Sequence, residues 1–295
     1  MVISGQEVWL WQKRAQQQAI AAHLPPHEIH WLLRELAGLD SLTLHLETYK
    51  TRSQIELKIS LSELERLWQL RLGDRIPLQH LTGQVSWRHF TLKVSPDVLI
   101  PRPETEILID RVAEVVQQNP QLAEGHWVDL GTGSGAIALG LAECLPKAQI
   151  HAIDLSAESL EIARKNAQNL NFAHRIQFYR GSWWQPLTTL VGKISGMISN
   201  PPYIPSALIA ELEPEVSQHE PHLALDGGND GLDAIRHLVA TAPNYLHSGG
   251  LWAIEMMDGQ AEIVTHLLEN QGNYQNIRIF PDLAKIDRFA FAYRR

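Results

Sequence analysis

The segment Asn200-Pro201-Pro202-Tyr203, directly after the apolar run Ile194–Ser199, carries the strongest chemical signature in the sequence. Proline fixes φ and has no backbone N–H, so the carbonyl of Pro201 can point out of a hydrogen-bonded ladder. With the side-chain oxygen of Asn200 it makes two acceptors for the hydrogens of a planar amino group, and the Tyr203 ring can lie flat against that plane. We predict Asn200, Pro201 and Tyr203 as catalytic, and all four residues, Pro202 included, as substrate-binding. A plain turn after a strand is the alternative.

A planar amino group is a poor nucleophile because the lone pair of an amide or exocyclic amino nitrogen is delocalised. Its reactivity therefore depends on the groups that surround it. Accepting both hydrogens favours localisation of that lone pair toward an electrophilic methyl group. Neutral hydrogen bonds contribute about 0.5–1.5 kcal/mol each, whereas orienting two reactants in line contributes on the order of 7–11 kcal/mol. The predicted site therefore acts mainly by positioning its reactants.

A glycine-rich turn lies between the apolar run Trp127–Leu130 and the helical segment Ala136–Leu145. Glycine permits a tight turn and a close backbone approach, so a ligand can lie against the strand end and the helix N-terminus. By itself this pattern also fits a purely structural turn. The predicted cofactor-binding residues of the turn are Gly131, Thr132, Gly133, Ser134 and Gly135.

Two carboxylates indicate which cofactor this turn would hold. Asp154 ends the next apolar run, where a carboxylate can accept both hydroxyls of a ribose, as it also would for NAD. Asp129 precedes the first glycine by two residues, where its carboxylate could bind an ammonium group. A carboxylate at this position would repel a pyrophosphate. S-adenosylmethionine carries a ribose, an ammonium and no phosphate. The alternative for Asp129 is a helix or loop cap.

Ser182 and Trp183 follow the predicted strand Ile176–Tyr179. An aromatic ring at that strand end could pack against an adenine, and the Ser182 hydroxyl could bond its edge. We predict both as cofactor-binding residues. With nine tryptophans in the chain, ordinary packing is the alternative for Trp183.

The rhythm of the sequence changes along the chain. Apolar residues recur at helical spacing from Gln6 to about Leu81, which predicts a helical bundle, and alternate within Val85–Ile100, which predicts a β-hairpin linker. From His126 onward, short apolar runs alternate with helical segments, the pattern of a parallel sheet covered on both faces. Two further strands are expected near the C-terminus, at least one of them antiparallel. The predicted domains are residues 1–84 (helical, substrate recognition), 85–100 (hairpin linker) and 101–295 (catalytic).

Composition excludes several classes of protein. The chain has 295 residues, 44% of them hydrophobic and 20% charged, with Cys144 as its single cysteine, which argues against disorder, disulfide scaffolds and multi-cysteine zinc sites. His23, His27 and His30 lie close in sequence, but Pro25-Pro26 interrupts their helical spacing, so no metal site is predicted.

Charge and hydropathy argue against nucleic-acid and membrane partners. Residues 1–95 contain 11 Lys and Arg against 9 Asp and Glu, a net charge of +2, and residues 96–295 contain 14 against 24, a net charge of −10. The acidic part argues against a nucleic-acid target. The chain opens without a signal-peptide pattern, and no run reaches the ~18 apolar residues of a spanning helix, so a cytoplasmic protein without membrane contact is expected.

The Asn200–Tyr203 motif and the glycine-rich turn together resemble the class I S-adenosylmethionine-dependent methyltransferases of planar amides and adenines. Three further segments, Leu81–Gly83, Ile100–Glu106 and Glu220–Gly231, resemble the protein-(glutamine-N5) methyltransferases of peptide chain release factors. The resemblance extends from about Ile76 to the C-terminus. It implies an α/β, Rossmann-like fold with a mostly parallel seven-stranded sheet and helices on both faces.

The resemblance also implies a reaction and its partners. The substrate would be the glutamine of a Gly-Gly-Gln motif in class 1 release factors, methylated by S-adenosylmethionine with S-adenosylhomocysteine as co-product, and Asn200 would also contact the cofactor. A monomer is expected. Ser182 stands where the family usually has Asp, and Glu255–Gln260 departs from the family pattern.

Four alternatives stay open from the sequence. A ribosomal-protein glutamine, an adenine of nucleic acid, and a non-enzymatic scaffold that docks release factors are the other functions. An Arg102–Glu104 ion pair within the linker is the alternative use of those two residues.

Overall fold

The protein, described here by a computed structural model covering Met1–Arg295, divides into two compact units, residues 1–83 and 84–295. The hairpin predicted as a linker belongs to the second unit, where Trp87 and Phe90 join a large apolar core. None of the helices is both long and apolar enough to cross a membrane.

The first unit is mostly helical, as the 3.6-residue periodicity indicates. The first helix is capped by Ser4, whose Oγ accepts the Glu7 N–H while Glu7 Oε2 accepts the Ser4 N–H. Its buried face includes Val8, Trp11, Ala15 and Ala19. The elements are β1 (Val2–Ile3), α1 (Gly5–Ala21), α2 (Glu28–Leu32), a π-helical turn (Leu33–Ala37), α3 (Ser41–His45), a 3₁₀ turn (Thr48–Thr51), β2 (Ile55–Glu56), α4 (Leu61–Gly73) and α5 (Leu78–Thr82).

The second unit alternates strands and helices after an initial hairpin. Its strands are β3 (Gln84–Trp87), β4 (Phe90–Lys93), β5 (Glu124–Leu130), β6 (Lys147–Asp154), β7 (Ile176–Arg180), β8 (Ile194–Ser199), β9 (Leu246–Glu255), β10 (Tyr274–Pro281) and β11 (Asp287–Arg294). Its α-helices are α6 (Thr105–Gln118), α7 (Ala136–Cys144), α8 (Ala157–Asn169), α9 (Pro214–Ser217), α10 (Asp233–Thr241) and α11 (Ala261–Gln271). The 3₁₀ turns are Pro120–Leu122, Gln185–Leu190, Ser206–Glu211, His222–Ala224 and Ala242–Asn244.

Seven strands form one sheet in the order β10-β11-β9-β8-β5-β6-β7. The pairs among β9, β8, β5, β6 and β7 are parallel, and β11 runs antiparallel to both β9 and β10. The expected mostly parallel sheet with an antiparallel strand near the C-terminus is therefore confirmed. Apolar cores cover the sheet.

The sheet brings the predicted chemistry to one edge. The glycine-rich turn follows β5, Asp154 ends β6, and Asn200 follows β8, so all three lie at the carboxyl ends of neighbouring parallel strands. The Ser199 hydroxyl donates to the Leu130 carbonyl at 2.5 Å, which ties the ends of β8 and β5 together.

Candidate active site

A cavity of about 410 Å³ opens at the carboxyl edge of the sheet. Segments that are remote in sequence contribute to its wall. The lining residues that the sequence predicted are Gly131, Gly133, Asp154, Ser182, Trp183, Asn200 and Pro202. The remaining lining residues are Pro96–Leu99, Ile153, Leu155, Ser156, Ser159, Gly181, Pro221, Leu223 and Ala224. The cavity therefore brings both predicted motifs to one space.

The glycine-rich turn is held by backbone hydrogen bonds. The N–H groups of Gly131 and Thr132 both donate to the Ile153 carbonyl at 2.9 Å. Gly133 has a φ of +53°, and a Cβ added there would meet no atom within 4 Å, so its backbone faces open space. Gly135, at φ +86°, instead packs against Ala163, 3.1 Å from where its Cβ would stand. Of these glycines, Gly133 supplies room for a ligand and Gly135 close packing.

Asp154 connects the turn to the cavity. Its Oδ2 accepts the Gly133 N–H at 2.8 Å and its Oδ1 accepts the Ser156 N–H at 2.9 Å. Burial raises the pKa of Asp154 above its usual range, and these two backbone donors oppose the shift. Each carboxylate oxygen has a second lone pair, so the group can still accept two hydroxyls of a ligand.

Asp129 is fully buried and is not among the residues that line the cavity. Its Oδ2 accepts the Thr132 hydroxyl at 2.6 Å and the Ala138 N–H at 3.0 Å, which caps the N-terminus of α7. Its Oδ1 has no hydrogen-bond partner. Burial raises the pKa of Asp129 to about 7, and the nearby Asp154 adds to that shift. The side chain thus serves as the cap that the sequence offered as an alternative and keeps one acceptor unused.

Thr132 and Ser134 are also buried and do not line the cavity. The Thr132 hydroxyl is committed to Asp129, and the Ser134 carbonyl accepts the Asn166 side-chain N–H at 2.9 Å. Both residues therefore fix the shape of the turn, while Gly131 and Gly133 reach the cavity.

Ser182 and Trp183 stand at the end of β7 on the cavity wall. Trp183 has a left-handed φ of +50°, a conformation that costs a non-glycine residue on the order of 1–3 kcal/mol. Its ring lies beside Gly131, whose added Cβ would be 3.9 Å from the Trp183 Cζ3, and near the His237 ring at a centroid distance of 6.1 Å. Trp184, the neighbouring tryptophan, is buried instead and stacks on Tyr245.

The residues of the Asn200–Tyr203 motif take different positions. Asn200 and Pro202 line the cavity, whereas Pro201 is buried and Tyr203 is partly buried. The Asn200 Nδ2 donates to the Thr105 hydroxyl at 3.4 Å, and the Tyr203 hydroxyl donates to Glu255 Oε1 at 3.1 Å. Burial and the Glu255 charge raise the pKa of Tyr203, so this phenol stays protonated.

Glu255 and Thr105 form a buried connection behind the motif that the sequence did not reveal. The Thr105 hydroxyl donates to Glu255 Oε2 at 2.6 Å, and both residues are less than 5% exposed. Burial raises the pKa of Glu255, while Thr105, Tyr203 and Arg288 oppose the shift. The sequence signals were indirect: Thr105 lies in Ile100–Glu106, a segment that carries the family resemblance, and Glu255 opens the segment Glu255–Gln260 that departs from the family pattern.

Gln260, at the end of that segment, is hydrogen-bonded to the backbone of the motif. Its Nε2 donates to the carbonyls of Tyr203 at 3.1 Å and Gly231 at 3.3 Å, and its Oε1 accepts the Met257 N–H. A Cβ on Gly231 would stand 2.2 Å from the Tyr203 carbonyl oxygen, so only glycine allows this close approach.

Arg102 pairs with Glu220 rather than with Glu104, so the alternative of an Arg102–Glu104 ion pair is wrong. The Arg102 guanidinium donates to Glu220 Oε2 at 2.5 Å, and the Glu220 side chain is 1% exposed. The Ile100 N–H donates to its other oxygen at 3.3 Å. Because Pro221 and Ala224 line the cavity, this ion pair, in which only the Glu220 side chain is buried, connects that wall to the chain before α6.

Comparisons with known proteins agree with this architecture. A family model described as a methyltransferase domain matches residues 121–283. The chain is 50% identical over 291 residues to a release factor glutamine methyltransferase of Synechocystis sp., covering 98% of this chain and 97% of that protein. It is 47% identical to a protein of the same name from Thermosynechococcus vestitus, covering 90% of each.

A solved structure supports the fold alone. The crystal structure of the hMettl16 catalytic domain in complex with the MAT2A 3'UTR hairpin 6 has a TM-score of 0.55 at 15% identity, over 79% of this chain and 80% of that one. Together with the family match and the strand order, this similarity confirms the predicted class I, Rossmann-like methyltransferase fold.

Proposed function

Since this chain belongs to the release factor glutamine methyltransferase family, we propose that it methylates the side-chain nitrogen of a glutamine in peptide chain release factors, with S-adenosylmethionine as methyl donor. The target glutamine is that of the Gly-Gly-Gln motif in class 1 release factors. The observation that carries the proposal is that Asn200 and the glycine-rich turn face the same cavity. An amide-binding group and a nucleoside-sized space thereby lie within reach of each other.

The charge of the cavity supports S-adenosylmethionine over a phosphate-bearing cofactor. Asp97 and Asp154 contribute carboxylates to the lining, and the lining contains no lysine, arginine or histidine. A pyrophosphate would lack a cationic partner there, whereas a ligand with a sulfonium and an ammonium would be attracted. The same distribution disfavours the phosphates of a nucleic-acid substrate.

Several residues fit the parts of the donor. Asp154 has lone pairs left for the two ribose hydroxyls, Trp183 offers an apolar wall for the adenine, and the open backbone face of Gly133 leaves room for the amino acid part. The unpartnered Oδ1 of Asp129 is an acceptor next to that turn. When bound, S-adenosylmethionine supplies a methyl group on a positively charged sulfur.

The acceptor side acts by orientation. Asn200 Oδ1 and the Pro201 carbonyl accept the two hydrogens of the glutamine amide, and the Tyr203 ring packs against the amide plane. The nitrogen lone pair forms the new N–C bond while the C–S electrons pass to sulfur, and the two oxygens hold the excess proton until it leaves to water. Each neutral hydrogen bond contributes about 0.5–1.5 kcal/mol, so alignment of the reactants carries most of the acceleration.

Label transfer tests the proposed function. Purified protein is incubated with tritiated S-adenosylmethionine and, separately, a release factor, a ribosomal protein and duplex DNA, with a release factor whose Gly-Gly-Gln glutamine is replaced as the matched control. We expect label on the release factor and none on the control. Label on the ribosomal protein or DNA instead would reject the substrate, and label on none of them would support a scaffold.

A further inference from the structure

A chain of hydrogen bonds runs behind the Asn200–Tyr203 motif and ends on a single buried carboxylate. Glu255 closes β9, and its two oxygens accept hydroxyl protons from Thr105 at 2.6 Å and Tyr203 at 3.1 Å. An ionised carboxylate can only accept hydrogen bonds, so the charge on Glu255 fixes the direction of both hydroxyl groups.

The direction of the Thr105 hydroxyl decides which end of the Asn200 amide faces it. Thr105 has one hydroxyl proton, and that proton is committed to Glu255. Only lone pairs of the Thr105 oxygen remain on the side of Asn200, and they can pair with the NH₂ group but not with Oδ1. The observed contact, Asn200 Nδ2 to Thr105 Oγ1 at 3.4 Å, has this polarity.

We propose that Thr105 and Glu255 are positioning residues that keep the Asn200 side-chain oxygen, and not its NH₂ group, available to the acceptor amide. This inference rests on the proposed function, in which Asn200 accepts a hydrogen from glutamine. Tyr203 is held by the same carboxylate, so one charge sets both the amide acceptor and the aromatic wall.

Protonation of Glu255 would reverse the chain. A carboxyl group that donates to the Thr105 oxygen frees the Thr105 proton, which can then pair with Asn200 Oδ1 after a flip of the amide. The NH₂ group of Asn200 would then face the NH₂ group of the glutamine, and two donors cannot bond each other. The ionised form of Glu255 is therefore the active one.

The surroundings of Glu255 set where this reversal occurs on the pH scale. Burial and the charge of Glu104 raise the pKa of Glu255, whereas Arg288, on the paired strand β11, lowers it. The Arg288 guanidinium also donates to Asp282 at 2.6 Å, which shares its charge between two carboxylates. With burial the largest of these effects, methyl transfer should weaken on acidification at a pH above the ordinary range of a glutamate.

Variants of similar shape test this role. In Glu255→Gln and Thr105→Val the kcat should fall on the order of tenfold, the size of about one hydrogen bond, while the Kd of S-adenosylmethionine by calorimetry changes less than about twofold. Thr105→Ser keeps the hydroxyl and should restore most of the kcat. Ser195→Ala, which removes a buried hydroxyl from the start of β8, should leave the kcat unchanged.

The ionisation of Glu255 gives a second readout that does not depend on turnover. Infrared spectra of the protein alone should gain protonated-carboxyl absorption over the same pH range in which the wild-type kcat falls, and the part of that absorption due to Glu255 should be missing from the Glu255→Gln spectra. The inference would be overturned by a Glu255→Gln variant that keeps the wild-type kcat and shows the same fall in kcat at low pH. A fall in kcat matched by equal weakening of donor binding would also overturn it. If the wild type methylates no release factor, the proposed function itself fails instead.

Discussion

The two halves of the proposed active site, one for the methyl donor and one for the methyl acceptor, are held in place by different parts of the chain. On the donor side, backbone N–H groups of the glycine-rich turn bond the Ile153 carbonyl and the Asp154 carboxylate. On the acceptor side, Asn200 and Tyr203 are held through the side chains of Thr105 and Glu255, from α6 and β9. The donor side is therefore encoded locally, and the acceptor side depends on tertiary contacts.

Two buried carboxylates show the same contrast. Asp129 caps the N-terminus of α7 through one oxygen and leaves the other without a partner. Glu255 has a side-chain hydroxyl on each oxygen. An unmatched buried acceptor is unfavourable, so a hydrogen-bond donor from the proposed ligand would stabilise Asp129, whereas both oxygens of Glu255 already have partners within the protein. In the proposed site the acceptor side is therefore the more preorganised of the two.

Removing the Asn200 side chain should produce the largest effect and should separate the two halves. We expect Asn200→Ala to lower the kcat by on the order of 100-fold or more, as removal of one preorganised hydrogen-bonding group does in other enzymes. The Kd of S-adenosylmethionine, measured by calorimetry on the same preparation, should stay within a few-fold.

Asn119→Ala is a matched control because the Asn119 side chain donates to the Val115 carbonyl in the last turn of α6 and does not line the cavity. Its kcat should be that of the wild type. Near-normal turnover in Asn200→Ala would contradict the proposed role of Asn200 in binding the glutamine amide. A rise in the Kd of S-adenosylmethionine as large as the fall in kcat would instead assign Asn200 to the donor side.

Removing the Asp154 carboxylate should weaken the donor side by a smaller amount. Asp154→Ala removes the proposed acceptor for ribose hydroxyls and leaves the Gly133 N–H without its Asp154 partner. We expect the Kd of S-adenosylmethionine to rise more than about tenfold, or about 1.4 kcal/mol. Asp40→Ala removes another carboxylate that accepts a backbone N–H, that of Thr43 in the helical unit, and should leave this Kd unchanged. Unchanged calorimetric binding in Asp154→Ala would reject the ribose role.

The third and smallest effect concerns the ionisation of Asp129. Its folded pKa of about 7 means that the carboxylate forms as the pH rises through neutrality. If its free oxygen meets the ammonium of the donor, affinity for S-adenosylmethionine should increase a few-fold across this range. Asp129→Asn should bind with no such slope. A wild-type Kd that is flat between about pH 6 and about pH 8 would remove Asp129 from the donor site.

Unfolding measurements check the same ionisation independently. A carboxyl whose folded pKa is raised holds its proton longer in the folded state, so stability declines as pH rises from about 4 to about 7. In urea unfolding, the free energy of unfolding of Asp129→Asn should therefore increase relative to that of the wild type as the pH rises through this window. A constant difference between the two proteins would indicate that Asp129 is ionised throughout.

The sequence predicted the fold well where local patterns govern it. The apolar run Ile194–Ser199 has the bounds of β8, and the predicted helical segment Ala136–Leu145 differs from α7 by one residue. β9 begins at Leu246, five residues before the apolar stretch that starts at Leu251, and a register irregularity between β8 and β9 keeps the intervening glycine-containing residues within the strand. The two-residue strands β1 and β2 are too short to leave a periodic signal.

The residues of the proposed active site also differ in how far the sequence predicts them. The glycine-rich turn and Asp154 could be predicted because a strand, a turn and a helix lie within about one βαβ unit of sequence. Thr105 lies 95 residues before Asn200, and Glu255 lies 52 residues after Tyr203, so no local spacing connects them. Likewise, Arg102 suggested a partner two residues away, and the structure supplies Glu220 instead. Tertiary contacts alone bring these groups together.

The most direct measurement identifies the atom that receives the methyl group. Release factor and ribosomal protein are mixed in equal amounts, incubated with the protein and S-adenosylmethionine, and digested for fragmentation mass spectrometry. We predict one added methyl on the side-chain nitrogen of the Gly-Gly-Gln glutamine and none on the ribosomal protein. A methyl group on another atom of the release factor, or on the ribosomal protein alone, would contradict this prediction.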